Sequence, residues 1–160
     1  TFALTGNHIE FPVEWHEMDF AEGMQRVFEN HRCTVDAFPL VHSVPTYGFR
    51  ITEVPRGANK PRVYTYCCDT ASTESILPYS EGSDLLCLEC TFANELADLA
   101  EMRCHLTAGQ AGRLAAKAGV GQLLLTHVSA RYREPDLLLA QATEEFANSV
   151  MATDSMRIDV

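Results

Sequence analysis

Apolar and polar residues alternate in short runs through the first half of the chain, at Ile9–Trp15, Met24–Phe28, Thr34–Leu40, Tyr47–Glu53 and Arg62–Cys67. A period of two predicts strands with one buried face. Between the fourth and fifth runs lies Pro55-Arg56-Gly57-Ala58-Asn59-Lys60-Pro61. Its Pro and Gly residues predict a hairpin loop, and hence an antiparallel or mixed sheet. The period changes in the second half. Thr107 is a good N-cap for a helix through Lys117, and Gly119 stands where a C′ glycine belongs. Ala111, Leu114, Ala115 and Ala118 keep helical spacing, so that helix buries one face. The unbroken apolar runs Leu85–Leu88 and Leu123–Thr126 predict short buried strands, and a second helix is expected from Pro135 to about Val150. Strand, helix, strand and helix in that order from Leu85 onward predict an α/β layer. No repeat, low-complexity tract or linker interrupts the chain, so residues 1–160 read as a single domain.

Composition narrows the function classes. The hydrophobic fraction of 46% is ample for a packed core. No run approaches the roughly 18 apolar residues of a membrane helix, and no signal peptide is visible, so no membrane partner is expected. The net charge of −10 opposes a general nucleic-acid-binding surface. It does not oppose a single phosphate held at a metal, whose charge dominates its surroundings. The basic grouping Arg50, Arg56, Lys60 and Arg62 is thin and reads as a solvated loop. Six Cys stand at 33, 67, 68, 87, 90 and 104. Cys87-x-x-Cys90 has zinc or redox spacing but no second pair, and strand alternation puts its thiols on opposite faces. Core thiols in reduced form predict a cytoplasmic location.

Three segments deliver chemistry-bearing residues to strand ends. Phe38–Leu40 leads to His42, with Pro45 stopping regular pairing just after; Val63–Cys68 leads to Asp69; Leu123–Thr126 leads to His127. Neutral imidazoles and a carboxylate on rigid strand ends suit a zinc or manganese site. A carboxylate has two oxygens, so Asp69 could bridge two ions about 3.5–4 Å apart. Taken singly, a strand-end His is more often a satisfied structural group, and Asp69-Thr70 alone reads equally as a turn or cap.

The order of these segments adds to the case. Phe38–Arg50 resembles the ribonuclease Z word PLxHxVPxxGYR, and Val63–Thr70 is similar to its VYTGDT. Asp84–Phe92 is similar to ADLLIHEATF, Cys104–Ala108 to GHSTA, and Leu124–Tyr132 to LTHISxRY. Five words in family order cover Phe38–Tyr132, more than half the chain. The resemblance implies the metallo-β-lactamase αββα sandwich and a two-metal phosphodiester hydrolase. It places His42 at a ligand of the first metal, Asp69 at the bridging ligand and His127 at a ligand of the second. His105 falls at the residue that gives a proton to the leaving oxygen, and Glu89 at the acid that orients it. The implied cofactor is zinc or manganese, two ions in the complete fold.

The chain also departs from the family words. Cys68 and Cys104 stand where the family has Gly, Leu106 where it has Ser, and Leu88 where it has the first His of HEAT. In these departures the chain is closer to short ribonuclease Z-like hydrolases. The interval between His42 and Asp69 is too short for the protruding tRNA-binding arm, which with the acidic charge makes tRNA an unlikely partner and a small phosphodiester the expected substrate. The family signature HxHxDH is absent; His8, His16 and His31 are isolated. The chain also opens at Thr1 without an initiator Met. It therefore reads as the C-terminal half of the sandwich, expected alone to hold no metal or one weakly. An uncovered sheet face would then favour a homo-oligomer. A catalytically incomplete homologue acting as an interaction module is the alternative.

Overall fold

The computed structural model describes Pro12, Glu14, Glu17, residues 23–55 and residues 57–160. The strand expected at Ile9–Trp15 lies mostly outside them, as do His8, His16 and Arg56. Seven strands form one sheet in sequence order among the described residues. β1 (Gln25–Glu29), β2 (Cys33–Leu40), β3 (Thr46–Glu53) and β4 (Val63–Tyr66) form an antiparallel meander. β5 (Leu85–Glu89), β6 (Gln122–Thr126) and β7 (Ser149–Met151) continue it in parallel. Parallel neighbours need crossovers. These are α1 (Leu77–Ser80), then α2 (Ala97–Arg103) with α3 (Ala108–Ala118), then α4 (Asp136–Glu145).

Strand alternation sorts the sheet into two faces. Phe38, Leu40, Cys67, Leu86, Leu88, Leu123 and Leu125 point to one side and join Leu114, Ala115, Ala118, Leu138 and Ala142 of α3 and α4 in the core. The helices approach closely, because a Cβ built on Gly112 would lie 2.6 Å from the Ala142 carbonyl oxygen. The opposite face carries Val35, Tyr47, Phe49, Ile51, Tyr64, Leu124 and Val150, all in register across the strands. Phe49 and Tyr47 there are 36% and 37% exposed, so this apolar face is only partly covered.

Local sequence explains most element ends. Pro39 sits inside β2, yet β1 pairing stops at Ala37, so the missing N–H falls beyond the last β1 pair. α3 opens with the capping box expected at Thr107: the Thr107 hydroxyl accepts from Gln110 N and the Gln110 side chain accepts from Thr107 N. It closes at Gly119 in the left-handed region, φ 61°. The helix expected from Pro135 to Val150 is corrected: it stops at Glu145, and Ser149–Met151 instead pair with β6 as β7. Phe146, at φ −145°, has already left the helical region.

Direction along the sheet places the site. β4, β5 and β6 are parallel, and β2 runs the same way because β3 is antiparallel to both β2 and β4. Five strands, β7 among them, therefore end at one edge of the sheet. Beyond those ends lie His42, Asp69, the Glu89–Thr91 segment and His127. Ligand sites in open α/β sheets gather at such carboxyl edges.

Candidate metal centre

The loops after β2 and β4 are tied together before either presents a side chain. Ala71 N donates to the Val41 carbonyl at 2.7 Å, and Val41 N donates to Thr70 Oγ1 at 3.3 Å. His42 and Asp69 thereby become neighbours. Asp69 Oδ2 lies 3.9 Å from His42 Nε2, and Asp69 Oδ1 lies 3.4 Å from His127 Nε2. Each carboxylate oxygen faces a different imidazole, which is the arrangement a bridging carboxylate requires. His105 packs between the two rings, at centroid distances of 5.0 Å from His42 and 5.4 Å from His127. One ligand atom from each of His42, Asp69 and His105 lies within 4.8 Å of the others. The tightest trio thus takes in His105, expected one shell further out.

The far nitrogens are also fixed. His42 Nδ1 donates to the Cys104 carbonyl at 2.9 Å, which leaves Nε2 for the centre. His105 Nδ1 bonds Glu89 Oε1 at 2.7 Å. His127 stands at backbone φ 53°, with its carbonyl 3.1 Å from the Thr91 hydroxyl oxygen. A non-glycine residue in that region is strained, and such strain gathers at functional sites.

Glu89 is no solvated strand-end charge; it is 0% exposed. Oε1 accepts from Thr70 N at 2.8 Å as well as from His105, and Oε2 accepts from Leu106 N at 3.0 Å and Thr91 Oγ1 at 2.5 Å. Four donors on one carboxylate compensate its burial. They also lock together the loops that follow β4 and β5 and the turn before α3.

Two supporting groups escape a sequence reading, the Cys104 carbonyl and the Thr91 hydroxyl. Cys104 caps α2 in the left-handed region, φ 56° and ψ 46°. Its signal was in the sequence: the family word has Gly at this position, as a left-handed cap favours. Cys104→Gly removes the Cβ strain, roughly 1–2 kcal/mol, and adds a smaller entropic cost of about 0.5–1 kcal/mol. It keeps the carbonyl that holds His42. The expected outcome is a melting temperature higher by about 1–4 °C, read by circular dichroism.

The remaining sequence candidates resolve into structure. All six cysteines are free. Cys90 joins the helix-side core, while Cys87 points to the other face beside Tyr64. Burial pushes the Cys67 and Cys87 thiols up and Cys90 to about 12, which disfavours their thiolate forms. Of the basic grouping, Arg50 donates to the Tyr79 and Glu81 carbonyls and Ser83 Oγ, and Arg62 pairs with Glu53. His31 lies in the turn between β1 and β2.

A cleft of about 570 Å³ opens beside the centre, lined by His42, Ser43, Phe92, Leu99, Met102, Arg103, His105 and Arg131.

Residues 2–128 match the model of the beta-lactamase superfamily domain. Ribonuclease Z of Thermobifida fusca is 36% identical over 79% of this chain and 54% of its own length. The chain thus spans about half the length of that relative. Among solved structures, the metallo-beta-lactamase fold protein YhfI from Bacillus subtilis aligns with a TM-score of 0.67 and 30% identity, over 79% of this chain and 48% of YhfI. Human tRNase Z, short form, aligns with a TM-score of 0.69 and 26% identity, over 88% of this chain and 48% of that protein. The mixed sheet with its flanking helices is thus the metallo-β-lactamase fold expected from the sequence words.

Proposed function

We propose, on the premise that this chain belongs to the beta-lactamase superfamily, that its metal-dependent hydrolase centre cleaves small phosphodiesters. One observation carries the reading: Asp69 stands between His42 and His127 with a separate oxygen toward each. The donor set fits zinc or manganese. Two imidazole nitrogens and a carboxylate converge, and the Cys104 carbonyl directs His42 Nε2 inward. His42, Asp69 and His127 would hold the metal, with His105 at their side. A divalent ion there supplies Lewis-acid polarisation of a phosphoryl oxygen and a lowered pKa for water.

The chain's own residues supply orientation and a proton. Glu89 accepts from His105 Nδ1 and so aims Nε2 at the cleft. In the imidazolium form, Nε2 gives its proton to the departing oxygen, and Glu89 stabilises the charged ring until it does. Phe92 packs edge-on against His105 at 6.0 Å and shields one side from water. The acidic chain, net charge −10, favours a small phosphodiester over tRNA.

A second reading, an interaction module or homo-oligomer without activity, is favoured by the partly exposed Tyr47 and Phe49 on the open sheet face. Metal analysis separates the two. The hydrolase reading expects the protein loaded with zinc or manganese to retain at least one weakly held ion and to release p-nitrophenol from bis(p-nitrophenyl) phosphate. Chelation should stop that release and added zinc or manganese should restore it. Protein free of metal and inert after loading would leave the module.

A further inference from the structure

We propose that the first metal ion this chain takes up is held by His42, Asp69 and His105, so that His105 is a ligand of that ion before it is a proton donor. The site stands on geometry; its consequence for catalysis rests on the hydrolase reading. One ligand atom from each of the three residues lies within 4.8 Å of the others, and among the described residues no other trio of His, Cys, Asp or Glu closes up in this way. Asp69 Oδ2 is 3.9 Å from His42 Nε2, and the His42 and His105 rings are 5.0 Å apart between centroids. Two imidazoles and a carboxylate are the three-ligand set of an open zinc site. Donors around a tetrahedral zinc stand roughly 3.3 Å apart, so each side chain closes by less than about an ångström.

The hydrogen bonds behind the rings point the same way. An imidazole that binds metal gives its other N–H to a carboxylate or a backbone carbonyl, which fixes the ring and makes it a better ligand. His42 Nδ1 does so with the Cys104 carbonyl at 2.9 Å, and His105 Nδ1 with Glu89 Oε1 at 2.7 Å. Both Nε2 atoms are left for an ion. Among the described residues no hydrogen bond fixes the His127 ring, and its side chain is 51% exposed against 13% for His42 and 16% for His105. Ordering a loose side chain costs entropy, so the two anchored rings bind first. Coordination occupies His105 Nε2, the atom that otherwise gives its proton to the departing oxygen. Hydrolysis then requires His105 to yield its place to His127, whose Nε2 is 3.4 Å from Asp69 Oδ1 and whose ring stacks on His105 at 5.4 Å.

The test is the long-range proton–nitrogen NMR spectrum of the metal-free protein, labelled with heavy nitrogen at histidine and titrated with zinc, because coordination moves the signal of the bound ring nitrogen itself. His42→Gln, His105→Gln and His127→Gln assign the signals. With one equivalent of zinc, the Nε2 signals of His42 and His105 are expected to shift while that of His127 keeps its metal-free position. Competition with a chromophoric chelator should show zinc held at least about tenfold more weakly by His105→Gln, the least that lost support for a ligand costs, and held nearly as before by His127→Gln. Metal-free melting temperatures confirm that the variants fold, and the spectrum of the unsubstituted protein decides the matter even where one does not. Shifts at His42 and His127 with His105 unmoved, or no shift at any of the three, would overturn the assignment. Hydrolysis is read separately, as p-nitrophenol release from bis(p-nitrophenyl) phosphate. No release sinks the hydrolase reading, while the spectrum still decides which residues hold the first ion.

Discussion

Asp69→Asn is expected to reduce bound metal to background and to lower phosphodiester hydrolysis by about 100-fold or more, at least the cost of losing one charge-stabilising group. The substitution keeps the size of the side chain and changes two things. The negative charge goes, and one of the two acceptor oxygens becomes an NH₂ donor. Oδ1 faces His127 and Oδ2 faces His42. Whichever way the amide turns, one imidazole then looks at a donor where a cation should sit. The fold has little stake in the change. Asp69 is partly exposed, and its neighbours are held by Thr70 N on Glu89 and Ala71 N on Val41, which the substitution leaves alone. The melting temperature of the metal-free variant should therefore stay close to that of the metal-free parent. Elemental analysis, p-nitrophenol release and a thermal melt check the three parts. Full metal content and activity in Asp69→Asn would remove Asp69 from the centre and the hydrolase reading with it.

The strands and α3 were legible because their signals are local. Period-two runs located β1 to β4 within a residue or two, and Thr107 and Gly119 bracketed α3 through cap chemistry that needs no tertiary partner. α1, α2 and β7 were not legible. They have four, seven and three residues. Helices that short are unstable alone and form by docking, and β7 exists through its pairing with β6. The site followed the same division. His42, Asp69 and His127 could be read from strand ends because a strand end is a local feature. Their convergence could not, since it depends on β2, β4 and β6 pointing the same way. The Cys104 carbonyl was invisible as a partner of His42 because it is backbone, 62 residues away in sequence.

Glu89→Gln is expected to destabilise the protein by about 2–4 kcal/mol, between the cost of an unsatisfied buried polar group and that of a broken buried charge pair. That corresponds to a loss of about 5–15 °C in melting temperature for a chain of this size. The change looks conservative, and at an exposed site it would be. Here each carboxylate oxygen already accepts twice. Oε1 takes Thr70 N and His105 Nδ1, and Oε2 takes Leu106 N and Thr91 Oγ1. A glutamine has an acceptor on one side only. In one amide orientation its NH₂ meets Thr70 N and the His105 ring; in the other it meets Leu106 N and the Thr91 hydroxyl. The threonine can turn its proton toward the His127 carbonyl, 3.1 Å away, and His105 can change tautomer. Thr70 N and Leu106 N are backbone donors and can do neither. One of the two stays unsatisfied in a site with no exposure. Glu89→Asp keeps the charge but shortens the reach, so it should destabilise less while still loosening His105. The two variants separate charge from reach, and differential scanning calorimetry on both reads the result. If Glu89→Gln melts within about 2 °C of wild type, the buried carboxylate is not what ties these loops together. The orientation of His105 would then need another source.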